Sequence, residues 1–250
     1  VNWYDRAEAY DILCGWDPAQ ERDFVLAASA RYGVPEPRRI LEPFCGSGRL
    51  LRAMPGVAVG LDRNPFMVRY ARGRGSRVFL ADAGAFAVRE GSFDLAYCLI
   101  DSFRHLLREE EARNHLRAVA RALVPGGVYV LGFEITGDLP TGDVSREEWW
   151  LERAGTRVDG DVRCLGDGDP VSRVETMFVK LKIRHGKRRE RIESIQPLRL
   201  YARADVLSLL EAVGLFDLVA VFDRRYLLDR PKPLATVTGS AVLVLRARGR

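Results

Sequence analysis

Arg39-Ile40-Leu41-Glu42-Pro43-Phe44-Cys45-Gly46-Ser47-Gly48-Arg49-Leu50 carries a short apolar run into a carboxylate and then into a turn of small residues. In an open α/β sheet, ligands bind where strands end and helices begin. Gly46 and Gly48 let the backbone approach a ligand where a Cβ would clash. Two more carboxylates close apolar runs downstream, Asp62 after Val59-Gly60-Leu61 and Asp82 after Val78-Phe79-Leu80-Ala81. One such loop says little. Three acidic strand ends, 20 residues apart and in this order, point to a ligand site along one edge of a sheet.

Around this stretch, apolar runs alternate with amphipathic ones. The pattern predicts strands near 38–42, 57–61, 77–80, 93–99 and 127–133, and helices near 47–53, 64–73 and 109–123. That alternation implies a parallel sheet covered by helices. Pro125-Gly126-Gly127 is expected to stop the long helix and lead into the fifth strand. Residues 3–32 read as helical, in one amphipathic piece from Tyr4 to Leu13 and a second from Pro18 to Tyr32. From 134 to 200 turn signals multiply, at Thr136-Gly137-Asp138, Pro140-Thr141-Gly142-Asp143 and Gly166-Asp167-Gly168-Asp169-Pro170. Val179, Leu181 and Ile183 alternate with Lys180, Lys182 and Arg184, which predicts a half-buried antiparallel strand paired across a His185-Gly186 turn. A helix from Arg203 to Val213, ended by Gly214, and strands near 216–223 and 239–247 complete the pattern.

The chain of 250 residues is long enough to bury a core without disulfides or a structural metal. It is 47% hydrophobic and 29% charged, within the soluble globular range, and its apolar runs are shorter than a membrane span or a signal peptide's. A cytoplasmic location without membrane contact is the expectation. The net charge of +5 permits anionic partners without requiring them. No basic run is interleaved with aromatics, so a nucleic-acid partner is disfavoured. Cys14, Cys45, Cys98 and Cys164 show no C-x-x-C spacing, which speaks against zinc and for free, mostly buried thiols.

Taken in order, these motifs resemble the class I S-adenosylmethionine-dependent methyltransferases. Phe93-Asp94-Leu95-Ala96-Tyr97-Cys98, Leu123-Val124-Pro125-Gly126-Gly127 and the closing helix with two strands resemble that family too. The resemblance covers about 38–133 and 200–247. It implies an α/β fold, a Rossmann-like seven-stranded mostly parallel sheet with helices on both faces, whose last strand runs antiparallel between the fifth and sixth. An antiparallel β-sheet is inserted after strand 5. Residues 1–36 would cover the cofactor, 37–133 and 201–250 would bind it, and 134–200 would form a lid, an acceptor site or a dimer contact.

The resemblance also implies cofactor contacts. Glu42 faces the amino acid portion of S-adenosyl-L-methionine, and Cys45, Gly46, Ser47 and Gly48 form the tight turn against it. Asp62 accepts both ribose hydroxyls, a bidentate task suited to a carboxylate. Arg63 and Met67 flank the adenine, Asp82 accepts from its exocyclic amine, and Ala83 offers its amide. Leu99, Ser102 and Phe103 sit where cofactor and substrate meet, and Tyr4 and Tyr10 lie on a helix that either covers the cofactor or is plain structure. The family's usual loop glycine is Phe44 here, so either its backbone stays at negative φ or the cofactor sits slightly differently.

The chemistry expected is methyl transfer to a small-molecule amine or hydroxyl, leaving S-adenosyl-L-homocysteine. A hydroxyl acceptor would need a base, for which His105 and Asp101 are the candidates; a structural role for His105 is the competing reading. His115, within the long helix, and His185, at a hairpin tip, are expected to be solvated. Trp149 and Trp150 are expected to pack the insertion onto the core, with one of them lining a pocket as the alternative, and the basic stretch from Lys180 to Arg189 to be a solvated face rather than an anion contact. The alternatives are an RNA or protein methyltransferase and a non-catalytic cofactor-binding module; a monomer or homodimer fits either.

Overall fold

The computed structural model of the chain describes residues 2–136, 145–169 and 171–249. Its N-terminal segment holds a 3-10 turn (Trp3–Asp5) and helices α1 (Ala7–Leu13) and α2 (Ala19–Tyr32). Strands and helices then alternate as β1 (Arg39–Pro43), β2 (Val57–Asp62), α3 (Pro65–Gly73), β3 (Arg77–Leu80), β4 (Phe93–Cys98), α4 (Glu109–Ala122) and β5 (Leu123–Ile135). Four antiparallel strands follow, β6 (Ser145–Arg153), β7 (Thr156–Cys164), β8 (Val174–His185) and β9 (Arg188–Arg199). Helix α5 (Arg203–Val213) and strands β10 (Phe216–Asp223) and β11 (Gly239–Ala247) come last.

The main sheet runs β10-β11-β5-β4-β1-β2-β3, with β11 antiparallel to both of its neighbours and the remaining pairs parallel. Strand order therefore reverses between β1 and β4, and the crevice beyond their carboxyl ends is where such a sheet binds ligands. Ile40 and Leu41 show why β1 is central. Both are fully buried, but Ile40 packs toward Phe24 and Val25 of α2, and Leu41 toward the side of Leu116 and Val119 of α4. Helix α3 starts where Asn64 accepts from the amides of Phe66 and Met67, with Pro65 in its first turn. Gly214, at φ +67, ends α5.

The four-stranded sheet turns Val158, Val179, Leu181 and Ile192 toward Ile12 and Leu13 of α1. Gly160 lets Leu13 come close, since a Cβ there would lie 2.6 Å from its side chain. Trp149 Nε1 donates to Leu13 O at 2.8 Å and so packs the insertion down, whereas Trp150 is exposed beneath the Arg157 guanidinium, 3.9 Å from its ring.

Four expectations are corrected. The helix over 47–53 is a turn followed by one 3-10 turn at Leu51–Ala53, because Gly48 sits at φ +76 and Pro55-Gly56 follow at once. The Tyr4–Leu13 helix is broken at Arg6, whose φ of -98 and ψ of 58 lie outside the helical region. Pro125-Gly126-Gly127 lies inside β5 rather than before it, and a register shift against β4 absorbs the extra length. The insertion holds two more strands, β6 and β7, than the sequence pattern revealed. The turn signals over 137–143 and at 170 fall outside the described residues. No helix among the described residues is long and apolar enough to cross a membrane.

Candidate active site

The loop after β1 is built on close approaches. Cys45 N donates to Leu61 O at 2.9 Å, which draws the turn onto β2. Gly60 makes that possible, because a Cβ there would lie 2.6 Å from Cys45 Sγ. Phe44 takes φ +57, so its backbone adopts the left-handed conformation that favours glycine, and the negative-φ alternative is set aside. Its ring lies 5.5 Å from that of His115.

Glu42, Asp62 and Asp82 stand at or just past the carboxyl ends of the adjacent strands β1, β2 and β3. Burial pushes the Glu42 carboxyl up to about 8, against the opposing bond that Tyr97 OH donates to its Oε2 at 2.9 Å. Asp62 is likewise raised by burial, opposed by the amides of Asn64, at 2.8 Å to Oδ1, and Gly46, at 2.9 Å to Oδ2. Each of its oxygens keeps a lone pair for a further donor. Asp82 Oδ1 accepts from Gly84 N at 2.7 Å.

A cavity of about 1140 Å³ opens from these loops toward the inserted sheet. Glu42, Phe44, Cys45, Ser47 and Leu99 line it from the sheet, Trp3, Tyr4 and Tyr10 from the N-terminal segment, and Trp149, Cys164, Glu175 and Met177 from the insertion. Asp101, Ser102, His105 and Glu134 close its floor. Tyr10 stands over the glycine loop, its ring 3.6 Å from where a Cβ on Gly46 would be. Asp62, Met67, Asp82, Ala83 and Phe103 lie outside this wall. Phe103 is fully buried among the rings of Phe133, Tyr201 and His115. Arg63 is exposed and lines a smaller pocket, about 220 Å³, together with His105 and Arg108, so His105 borders both spaces.

His105 Nε2 lies 2.9 Å from Tyr4 OH. Burial and then the nearby Arg63 charge push its pKa down to about 4, so the imidazole is neutral at pH 7. Asp101 has both oxygens engaged, Oδ1 by Glu134 N at 2.7 Å and Oδ2 by Arg104 at 2.9 Å. Glu134, absent from the sequence reading, accepts from Ser240 Oγ at 3.0 Å, and burial with the adjacent Asp101 charge raises its pKa. The strand-end logic applied to Glu42 would have found it, since it nears the end of the apolar run of β5. Arg104 and Glu175 had no such signal. His185 is exposed as expected. His115 corrects the expectation of a solvated ring, being fully buried with Nδ1 2.9 Å from Ala83 O and Nε2 2.8 Å from Tyr129 OH.

Residues 40–127 match the family described as methyltransferase domain. No curated protein sequence matches the chain. An S-adenosylmethionine-dependent methyltransferase of Clostridium acetobutylicum is similar in structure, with a TM-score of 0.74 at 18% identity over 99% of this chain and 100% of that one. DesVI of Streptomyces venezuelae aligns with a TM-score of 0.76 at 21% identity over 98% of each chain. The sugar N-methyltransferase KedS8 of Streptoalloteichus aligns with a TM-score of 0.69 at 24% identity over 94% of this chain and 90% of its own. These likenesses show a shared fold. The matched segment holds the Glu42 loop and both downstream carboxylates, so residues 40–127 carry the sequence pattern of a methyltransferase domain, set in a fold shared with S-adenosylmethionine-dependent methyltransferases.

Proposed function

We propose that the chain methylates the nitrogen of a small-molecule amine, releasing S-adenosyl-L-homocysteine. The observation that carries this reading is the cavity between the strand-end loops and the inserted sheet, in whose wall carboxylates outnumber guanidiniums. Such a wall favours a cationic acceptor over an anionic one. KedS8 is a sugar N-methyltransferase, and CalS10 of Micromonospora echinaspora is an amino pentose methyltransferase, so an amino sugar is the first acceptor to test.

The donor set suits the cofactor. Glu42, half-buried and bonded to Tyr97 OH, would meet the ammonium, with the Cys45–Gly48 turn and Tyr10 around the amino acid end and Phe44 supporting that turn. Asp62 would take the ribose hydroxyls with its two remaining lone pairs. Arg63, Met67, Asp82 and Ala83 would surround the adenine, and Leu99 the methionine chain, with Phe103 packed behind. Bound S-adenosylmethionine supplies an electrophilic sulfonium methyl. The protein's part is to hold the amine in line with it, the kind of positioning that lowers a bimolecular barrier by several kcal/mol. Glu134, whose raised pKa suits a proton acceptor, would take the proton that an ammonium must lose. His105, neutral and bonded to Tyr4, would orient the acceptor. In this reading residues 1–36 cover the cofactor, 37–133 and 201–250 bind it, and 134–200 form the acceptor lid.

Calorimetry of S-adenosylhomocysteine on the wild type and on Asp62→Ala tests the site. Binding in the wild type that weakens roughly a hundredfold or more in the variant is expected, since two charge-assisted hydrogen bonds are lost. No binding to the wild type sinks the assignment. Transfer of labelled methyl to a panel of amino sugars and simple amines, with hydroxyl analogues as controls, then tests the acceptor class.

A further inference from the structure

We infer that Arg104 is a positioning residue that seats the inserted sheet on the loop after β4, pairing buried with Glu175 and reaching out to the half-buried Asp101. The inference rests on the acceptor reading above. Arg104 is 1% exposed, and its guanidinium reaches three separate segments. Nη1 donates to Asp101 Oδ2 at 2.9 Å in the loop after β4, Nη2 pairs with Glu175 of β8, and Nε donates to Arg199 O of β9 at 2.8 Å. A guanidinium keeps its charge wherever it is placed, so this cation is balanced by fixed partners and not by losing a proton.

The loop it holds is strained. Ile100 and Asp101 sit at φ +60 and +69, and a β-branched residue there is uncommon. Such a conformation persists where surrounding bonds over-determine it. Here Asp101 Oδ1 accepts from Glu134 N while Oδ2 is held by Arg104, so the carboxylate is a strut between β5 and the inserted sheet. The same 3-10 turn, Ser102–His105, carries His105, which meets Tyr4 of the N-terminal segment. One turn thus fastens the sheet to the insertion through Arg104 and to the cover through His105. Asp101, Glu175 and Glu134 all line the cavity, so the geometry of its floor follows that of Arg104. A lysine would keep the charge but not the planar fork that serves three acceptors at once.

Arg104→Lys and Glu175→Gln, each in the full chain, test this. In Arg104→Lys, S-adenosylhomocysteine affinity should stay within about threefold of wild type while kcat for the amine falls roughly tenfold or more, as expected for misplaced reactants. Amide hydrogen exchange at Glu134 should quicken about tenfold while exchange at Val130 in the same strand is unchanged, because Asp101 loses its brace locally. In Glu175→Gln, which leaves the loop braced but removes the ion pair to β8 and keeps only the bond to Arg199 O of β9, KM for the amine should rise about fivefold or more at near-constant kcat. Should Arg104→Lys fail to fold, Glu175→Gln decides by the same KM-against-kcat split. Both variants within about twofold of wild type in kcat and KM overturn the inference. So does a uniform rise in exchange with parallel loss of cofactor affinity, which marks a structural role alone. A wild type that methylates no amine defeats the acceptor reading instead, and exchange at Glu134 still decides whether Arg104 braces Asp101.

Discussion

Phe44 keeps a glycine-type backbone at φ +57 while its ring fills space beside His115. The two effects oppose each other and can be separated. Phe44→Ala loses the ring and keeps the strain, whereas Phe44→Gly loses the ring and relieves it. The glycine variant is therefore expected to be the more stable of the two by roughly 1 kcal/mol in urea unfolding. An alanine variant of equal or greater stability would mean that the left-handed conformation is absent. The departure at this position was legible in the sequence, but its resolution was not. Nor was the buried state of His115, whose helical position gives no sign that Ala83 O and Tyr129 OH will satisfy both ring nitrogens.

At the scale of elements, the strand-end loop depends on β1 and β2 lying in register with Glu42 opposite Gly60. Gly60 is a negative-φ glycine kept small by Cys45, so Gly60→Ala overpacks the contact and should cost about 1–3 kcal/mol. Thermal unfolding reads this out, and an unchanged midpoint would show that the turn can retreat from β2. Strands β1 and β4 were readable because a parallel strand buried on both faces is a short apolar run, and the alternation in β8 because one of its faces is polar. β6 escaped because Glu147, Glu148 and Glu152 leave it little apolar surface of its own. It exists as a strand by pairing with β7 and laying Trp149 on α1.

Across the whole molecule, Asp11 of α1 ties together parts far apart in the chain. Its carboxylate, 1% exposed, accepts from Arg52 at 3.1 Å, Tyr70 at 2.9 Å and Arg153 of β6 at 2.7 Å. Burial opposes its ionisation, but bonds from Ser47, Arg153 and Tyr70 outweigh that and hold the pKa below the ordinary carboxylate value. Its contribution is thus present above the unfolded-state pKa and is lost as pH falls through the lower folded one. Asp11→Ala removes an acceptor shared by two partly exposed guanidiniums and Tyr70 OH and should cost about 2 kcal/mol near pH 7, with a smaller difference from wild type in acid. Urea unfolding at the two pH values, with tryptic cleavage at exposed Arg6 as the readout for a loosened cover, checks this. Equal stability and equal cleavage would show that the cover is held by apolar packing alone.

The strand-helix alternation, the row of carboxylates at Glu42, Asp62 and Asp82, and the antiparallel insertion could all be read from the chain, because periodicity and strand-end chemistry are local properties. What faces Glu42 across the cavity was settled by tertiary packing. Arg104 and Glu175 are 71 residues apart, and Tyr4 and His105 are 101 apart. Such pairs meet because the inserted sheet and the N-terminal segment must bury their apolar faces against the same end of the main sheet, a requirement that no local pattern records.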